Sequence, residues 1–127
     1  LSGMSTMEQV LDNISYMKDF KPLSEEEQNT IKKAQKALDA IESIPCTACR
    51  YCTPGCPMGI EIPDIFKAMN WYKIYGMKDK AKDRYEDIIE KSAKASECIE
   101  CGQCEGVCPQ QLPIIKYLKE CADELEE

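Results

Sequence analysis

A chain of 127 residues is close to the usual size of one domain, leaving room for a modest core and an appended segment but not for a separate large catalytic domain. Hydrophobic residues make up 43% and charged residues 31%, and no apolar run approaches the roughly 18 residues of a membrane span, so a membrane protein is not expected. The formal net charge of -7, with no histidine, argues against nucleic acid as a partner; it reads as a well-solvated surface or as an acidic docking face for a basic redox carrier.

The first ten residues are neither basic nor followed by an apolar signal core, so no targeting peptide is expected and the location is read as cytoplasmic. The leucine start looks like a cut inside a longer polypeptide. Ser5 or Thr6 can cap a first helix carrying Met7, Val10, Leu11 and Ile14. From Ser24 the run SEEE opens a second, with Glu27 at the reciprocal position of a capping box and an apolar stripe of Ile31, Ala34, Leu38 and Ile41 that ends before Pro45. A third helix is expected from about Pro63 and Asp64, burying Ile62, Ile65, Phe66 and Met69 and stopping at Gly76. A fourth spans about Lys78 to Ala95, with Ala81, Tyr85, Ile88 and Ile89 on one face, and a last starts near Pro113 with Ile114, Leu118, Cys121 and Leu125 in line. No strand pattern of useful length appears, so the fold class is all-α.

Nine cysteines call for a disulfide scaffold, a zinc site or a metal cluster, and spacing separates the three. Two segments read C-x-x-C-x-x-C-x-x-x-C-P: Cys46, Cys49, Cys52 and Cys56 before Pro57, then Cys98, Cys101, Cys104 and Cys108 before Pro109, repeated at an offset of 52 residues. Three cysteines spaced three apart can wrap a loop around a cuboidal cluster and leave its fourth iron to a ligand from elsewhere. In two-cluster proteins with this run the fourth cysteine serves the other cluster. The expectation is therefore two [4Fe–4S] clusters, one on Cys46, Cys49, Cys52 and Cys108, the other on Cys98, Cys101, Cys104 and Cys56. Paired Cys₄ zinc sites fit the third cysteine and the C-P ending poorly. A disulfide framework would suit a secreted chain with little core. The ninth cysteine, Cys121, reads as a small core residue. Trp71, Tyr72 and Tyr75 read first as core groups, and Lys73, Lys78, Lys80, Lys82 and Arg84 as a solvated helix face, with a docking role as the alternative in each case.

The 41 residues between Cys56 and Cys98 read as two helices, unlike the short hairpins of small bacterial ferredoxins, so an α-helical ferredoxin is the better match. With the opening LSGMSTMEQVLDN, the chain resembles the C-terminal part of ferredoxin-fused aldo/keto reductases. That resemblance implies a tail of a (β/α)₈ barrel over residues 1–21, including its C-terminal helix, and a two-cluster ferredoxin domain over 22–127. It also implies a fragment of an NADPH site, with Ser5 and Gln9 near the 2′-phosphate and Asp12 and Asn13 near the adenine; Asp12 stands where the family more often has glutamate. The barrel's catalytic residues belong to sequence upstream of this chain, which has no complete active site. The implied role is one-electron transfer between an outside carrier and the upstream barrel. The alternative is a cluster-stapled docking or dimerising domain without redox turnover.

Overall fold

The computed structural model describes residues 3–126 and divides into two compact units, Leu1–Ala40 and Ile41–Glu127. The expected boundary between residues 21 and 22 falls inside the first unit. Among the described residues the secondary structure is helical throughout, with no strand.

The first unit holds α1, Met7–Lys18, and α2, Glu25–Asp39. Both start on reciprocal caps. Thr6 accepts from the Gln9 N–H while Gln9 Oε1 accepts from the Thr6 N–H at 3.2 Å, and Ser24 and Glu27 repeat the arrangement, the Ser24 N–H reaching Glu27 Oε2 at 2.8 Å. These caps satisfy backbone donors that the first turn leaves unpaired. Neither helix buries a residue: the expected stripe on α2 is exposed, Leu38 by 66%. Local signals therefore suffice to specify the two helices.

The second unit contains α3, Ile62–Tyr75; α4, Lys78–Ile89; a single 3₁₀ turn, Ala95–Glu97; the one-turn α5, Gln103–Gly106; and α6, Ile114–Leu125. α3 packs on α4 and α6, and α6 also meets the 3₁₀ turn. The core is made of Ile62, Ile65, Phe66 and Met69 from α3, Ala81 and Tyr85 from α4, and Ile114, Leu118, Cys121 and Leu125 from α6. Their spacings of three and four keep each set on one face of its helix. α3 ends where Gly76 turns left-handed at φ 66°, its N–H bonded to Tyr72 O at 2.8 Å; a side chain is strained in that conformation.

α4 stops at Ile89, six residues short of the sequence expectation. Ser92 Oγ donates to Ile88 O at 3.0 Å, capping the helix end, and the chain then turns so that the Ala93 N–H reaches Gly59 O at 3.4 Å. Apolar periodicity extends past this point in the sequence, but tertiary contacts divert the backbone. α3 and α6 begin at Ile62 and Ile114, the same 52-residue offset as the cysteine runs, so the repeat extends through the helix that follows each run.

Candidate metal centres

Each cysteine run is an irregular loop, shaped by left-handed residues that recur at the repeat offset. Ala48 and Glu100 have φ 54° and 55°, Arg50 and Gly102 have 63° and 75°, and Gly59 and Gln111 have 69° and 51°. A left-handed residue costs a non-glycine about 1–2 kcal/mol. The cost is borne at Ala48, Arg50 and Glu100 because an uninterrupted helix would march the thiols along its axis, whereas these reversals between cysteines curl the loop about one centre; Gln111, past the last cysteine, turns the chain toward α6. Turn hydrogen bonds repeat with them: the Cys56 N–H meets Thr53 O and the Cys108 N–H meets Glu105 O, both at 3.2 Å.

The loops enclose two cavities. One is lined by Cys46, Cys49, Cys52 and Cys108, with walls from Ile62, Phe66, Leu112 and Ile114. The other is lined by Cys56, Cys98, Cys101 and Cys104, with walls from Ile60, Ile62 and Leu118. Ile62 reaches both, so the start of α3 is the partition. The two linings are near-copies at the 52-residue offset: Phe66 corresponds to Leu118, and Leu112 to Ile60. In each, the third cysteine of the run is buried, the second exposed, and the first and fourth half-buried. All nine cysteines are free thiols. The four thiols of each set surround a space; among the described residues no three His, Cys, Asp or Glu side chains draw together tightly enough to hold a single ion.

Burial raises the Cys52 thiol, against its own backbone N–H and the Thr53 hydroxyl, which act to lower it. Burial pushes Cys104 up to about 11, opposed by the Glu105 N–H and reinforced by the charges of Cys98 and Glu105. A thiolate at the floor of either cavity therefore needs a cationic partner. The Thr53 hydroxyl is buried beside Cys52 and meets no acceptor at full hydrogen-bond geometry, its effect on the Cys52 sulfur being a weak lowering one; a bound group's sulfur would give it an acceptor. The Ile60 N–H already donates to Cys56 Sγ at 3.5 Å. Four thiols, apolar walls and donors aimed at sulfur fit a [4Fe–4S] cluster in each cavity.

Arg50, between Cys49 and Cys52, pairs with Glu61 at 2.9 Å and Asp64 at 2.8 Å; Gly102 is its counterpart in the second run. Cys121 is fully buried on α6 and lines neither cavity. Trp71 and Tyr75 are exposed, Tyr72 is half-buried, and none of the three lines a cysteine cavity. Of the basic stretch, Lys73 pairs with Glu120 at 3.4 Å and Lys78 with Glu124 at 2.7 Å, tying α3 and α4 to α6. Ser5, Gln9, Asp12 and Asn13 lie in the first unit. There the Gln9 side chain accepts from the Ser5 and Thr6 N–H groups, and Asn13 Nδ2 donates to Gln9 O at 2.8 Å. Ile60, Leu112 and Leu118 wall the cavities without belonging to either cysteine motif. The repeat offset, applied beyond the cysteines, points to them.

The family described as the 4Fe-4S dicluster domain matches residues 45–112, which takes in both runs. Among curated relatives, a protein of the ion-translocating oxidoreductase complex of Buchnera aphidicola subsp. Acyrthosiphon pisum is 30% identical over 79 residues, covering 62% of this chain and 14% of that protein. The probable glycolate oxidase iron-sulfur subunit of Bacillus subtilis is 29% identical over 100 residues, 79% of this chain and 22% of that one. The alpha subunit of the acetyl-CoA decarbonylase/synthase complex of Methanothermobacter thermautotrophicus is 43% identical over 44 residues, 35% and 6% of the two chains. The chain thus spans less than a quarter of the length of each. No solved structure matches it.

Proposed function

This chain belongs to the 4Fe-4S dicluster domain family, and from that premise we propose that it holds its two clusters by crossed ligation and relays single electrons between a separate carrier and a reductase. An iron–sulfur electron-transfer module is what the family and the iron-sulfur relatives support. The observation that carries the ligand assignment is the lining of the cavities: Cys108 stands with Cys46, Cys49 and Cys52, and Cys56 with Cys98, Cys101 and Cys104.

When bound, each cluster supplies a one-electron centre that needs no bond-making. The chain's own residues hold it by four thiolates and exclude water with Phe66, Leu112 and Ile114 on one side and Ile60 and Leu118 on the other. The Ile60 N–H donates to the Cys56 sulfur and the buried Thr53 hydroxyl would be free to donate to a cluster sulfur, which with local charge would tune the potential. Exposed Cys49 and Cys101 mark where each cavity meets the surface, the short path for an electron to a docked protein. Because a cluster's ligands come from loops 52 residues apart, assembly and folding of the second unit are one process.

In this reading the donor or acceptor on one side is an upstream aldo/keto reductase barrel in the same polypeptide, with residues 1–21 as its tail, 22–127 as the ferredoxin domain, and the location cytoplasmic. Ser5, Gln9, Asp12 and Asn13 then complete an NADPH site whose larger part the barrel supplies; alone they bind NADPH weakly or not at all. The sequence LSGMSTMEQVLDN supports this assignment, as does a capped α1 that leaves its apolar residues Met7, Leu11 and Ile14 exposed.

The test is iron and acid-labile sulfide on anaerobically reconstituted protein, then a reductive titration followed by EPR. About eight irons per chain with signals that cycle are expected. Zinc in their place would refute the reading, and iron that never cycles would favour a structural staple. For the crossing, Cys49→Ser and Cys108→Ser should alter the same EPR signal; Cys108→Ser matching Cys101→Ser instead would refute it.

A further inference from the structure

The stretch leading into each cysteine run is fastened by a side chain on, or directly capping, the helix that follows the same run. Before the first run, the Ile44 N–H donates to Asn70 Oδ1 at 2.7 Å and Asn70 Nδ2 donates to Ile44 O at 2.9 Å. Ile44 is two residues ahead of Cys46 and almost fully buried; Asn70 sits on α3. Before the second run, the residue at the same register is Ser96, two ahead of Cys98, and its N–H donates to Glu126 Oε1 at 3.0 Å. Tyr85 completes this second fastening. Its hydroxyl donates to the same Glu126 oxygen and accepts from the Ala95 N–H at 2.8 Å.

The two fastenings share a role without sharing residues. The position on α6 equivalent to Asn70 is Ala122, which has no polar side chain; Glu126, four residues or about one helical turn later, covers it. A glutamate starting a turn further away needs a support, and Tyr85, 1% exposed, provides one from α4. Glu126 keeps a lowered pKa: its burial works the other way but is outweighed by the Ser96 and Tyr85 hydrogen bonds and the Lys94 charge.

We propose that Asn70 and the Glu126–Tyr85 pair are positioning residues, two separate latches that each set the first cysteine of one run and so govern retention of one cluster and not the other. The inference rests on the crossed-cluster reading above. Each latch acts two positions ahead of the first thiol of its run, and the fourth cysteine lies a further ten positions along. The fourth cysteine is held by its own turn, Cys56 N–H to Thr53 O or Cys108 N–H to Glu105 O. Loosening one latch therefore reaches three ligands of one cluster before it reaches the single ligand given to the other.

The experiment follows iron release from the whole reconstituted chain to a chelator, with EPR at each stage, for wild type, Asn70→Ala, Glu126→Ala, Glu126→Gln, Tyr85→Phe and the double variant Asn70→Ala/Glu126→Ala. Glu126→Ala and Tyr85→Phe are expected to speed release of half the iron by about tenfold, erasing one EPR signal. Asn70→Ala should speed the other half and erase the other signal, and the double variant should lose both at the single-variant rates. Glu126→Gln, which keeps the acceptor oxygen, should restore slow release. Release of all the iron in one phase by either alanine variant, or release unchanged in all of them, overturns the latches while leaving the clusters in place. Wild-type protein that takes up no iron overturns the cluster reading and the latches together. Should an alanine variant not fold, Tyr85→Phe and Glu126→Gln decide the second latch, and Asn70→Asp, which keeps the acceptor but not the donor, decides the first by the same halved release.

Discussion

Substituting Cys121 separates a ligand from a core residue among nine chemically alike side chains. The thiol is 0% exposed on the face of α6 that carries Ile114, Leu118 and Leu125, at the position where the first repeat has Met69. Burial pushes its pKa up to about 12, with the Glu120 charge adding to the rise. At pH 8 about one molecule in ten thousand would then carry the thiolate, against about one in ten for a thiol at the ordinary 9.0. Cys121→Ala deletes one sulfur from a packed core and should cost about 1 kcal/mol, whereas Cys121→Ser places an unpartnered hydroxyl there and should cost about 1–3 kcal/mol. Both variants should keep the full iron content and unaltered EPR. Urea midpoints of the reconstituted proteins give the stability order, and brief alkylation of the native holoprotein followed by peptide mapping should leave Cys121 unlabelled. Loss of iron in Cys121→Ala, labelling of Cys121 in the native state, or serine tolerated better than alanine would refute the reasoning.

Arg50→Gly should change thermal stability little: relief of about 1 kcal/mol of left-handed strain offsets the loss of half-exposed ion pairs worth about 0.2–1 kcal/mol each. With one positive charge gone, the potential of the cluster beside it should fall while the other stays, read by redox titration. Phe66→Ala should cost about 3–5 kcal/mol by opening the core beside Cys52, and should admit solvent to the Cys46 cavity, seen as faster iron loss from that cluster in air. The Glu124 carboxylate is lowered by the Lys78 hydrogen bond and charge. Its folded pKa lies below its ordinary 4.5, so its contribution to stability is present above that value and fades as pH falls through the lower folded one. Lys78→Met should move the Glu124 titration, followed by carboxyl carbon chemical shifts, back up toward 4.5.

The sequence by itself determined what covalent spacing and short-range physics carry. The paired C-x-x-C-x-x-C-x-x-x-C-P runs point to the class and number of metal centres, because three of the four thiolates of each set lie within seven residues of one another. The apolar positions Ile62, Ile65, Phe66 and Met69, and Ile114, Leu118, Cys121 and Leu125, mark the inner faces of α3 and α6, because helical periodicity acts over a few residues. The caps at Thr6 and Ser24 locate the starts of α1 and α2 for the same reason. Tertiary structure alone decided where periodicity is overruled. α4 ends at Ile89 because Ser92 and Gly59 capture the chain, and the α2 stripe stays exposed because an amphipathic pattern does not name what covers it. Nor do residue types reveal that Asn70 fastens Ile44 26 residues away, or that Glu126 reaches Tyr85 across 41. Those contacts exist only once the helices have brought distant groups within hydrogen-bonding range.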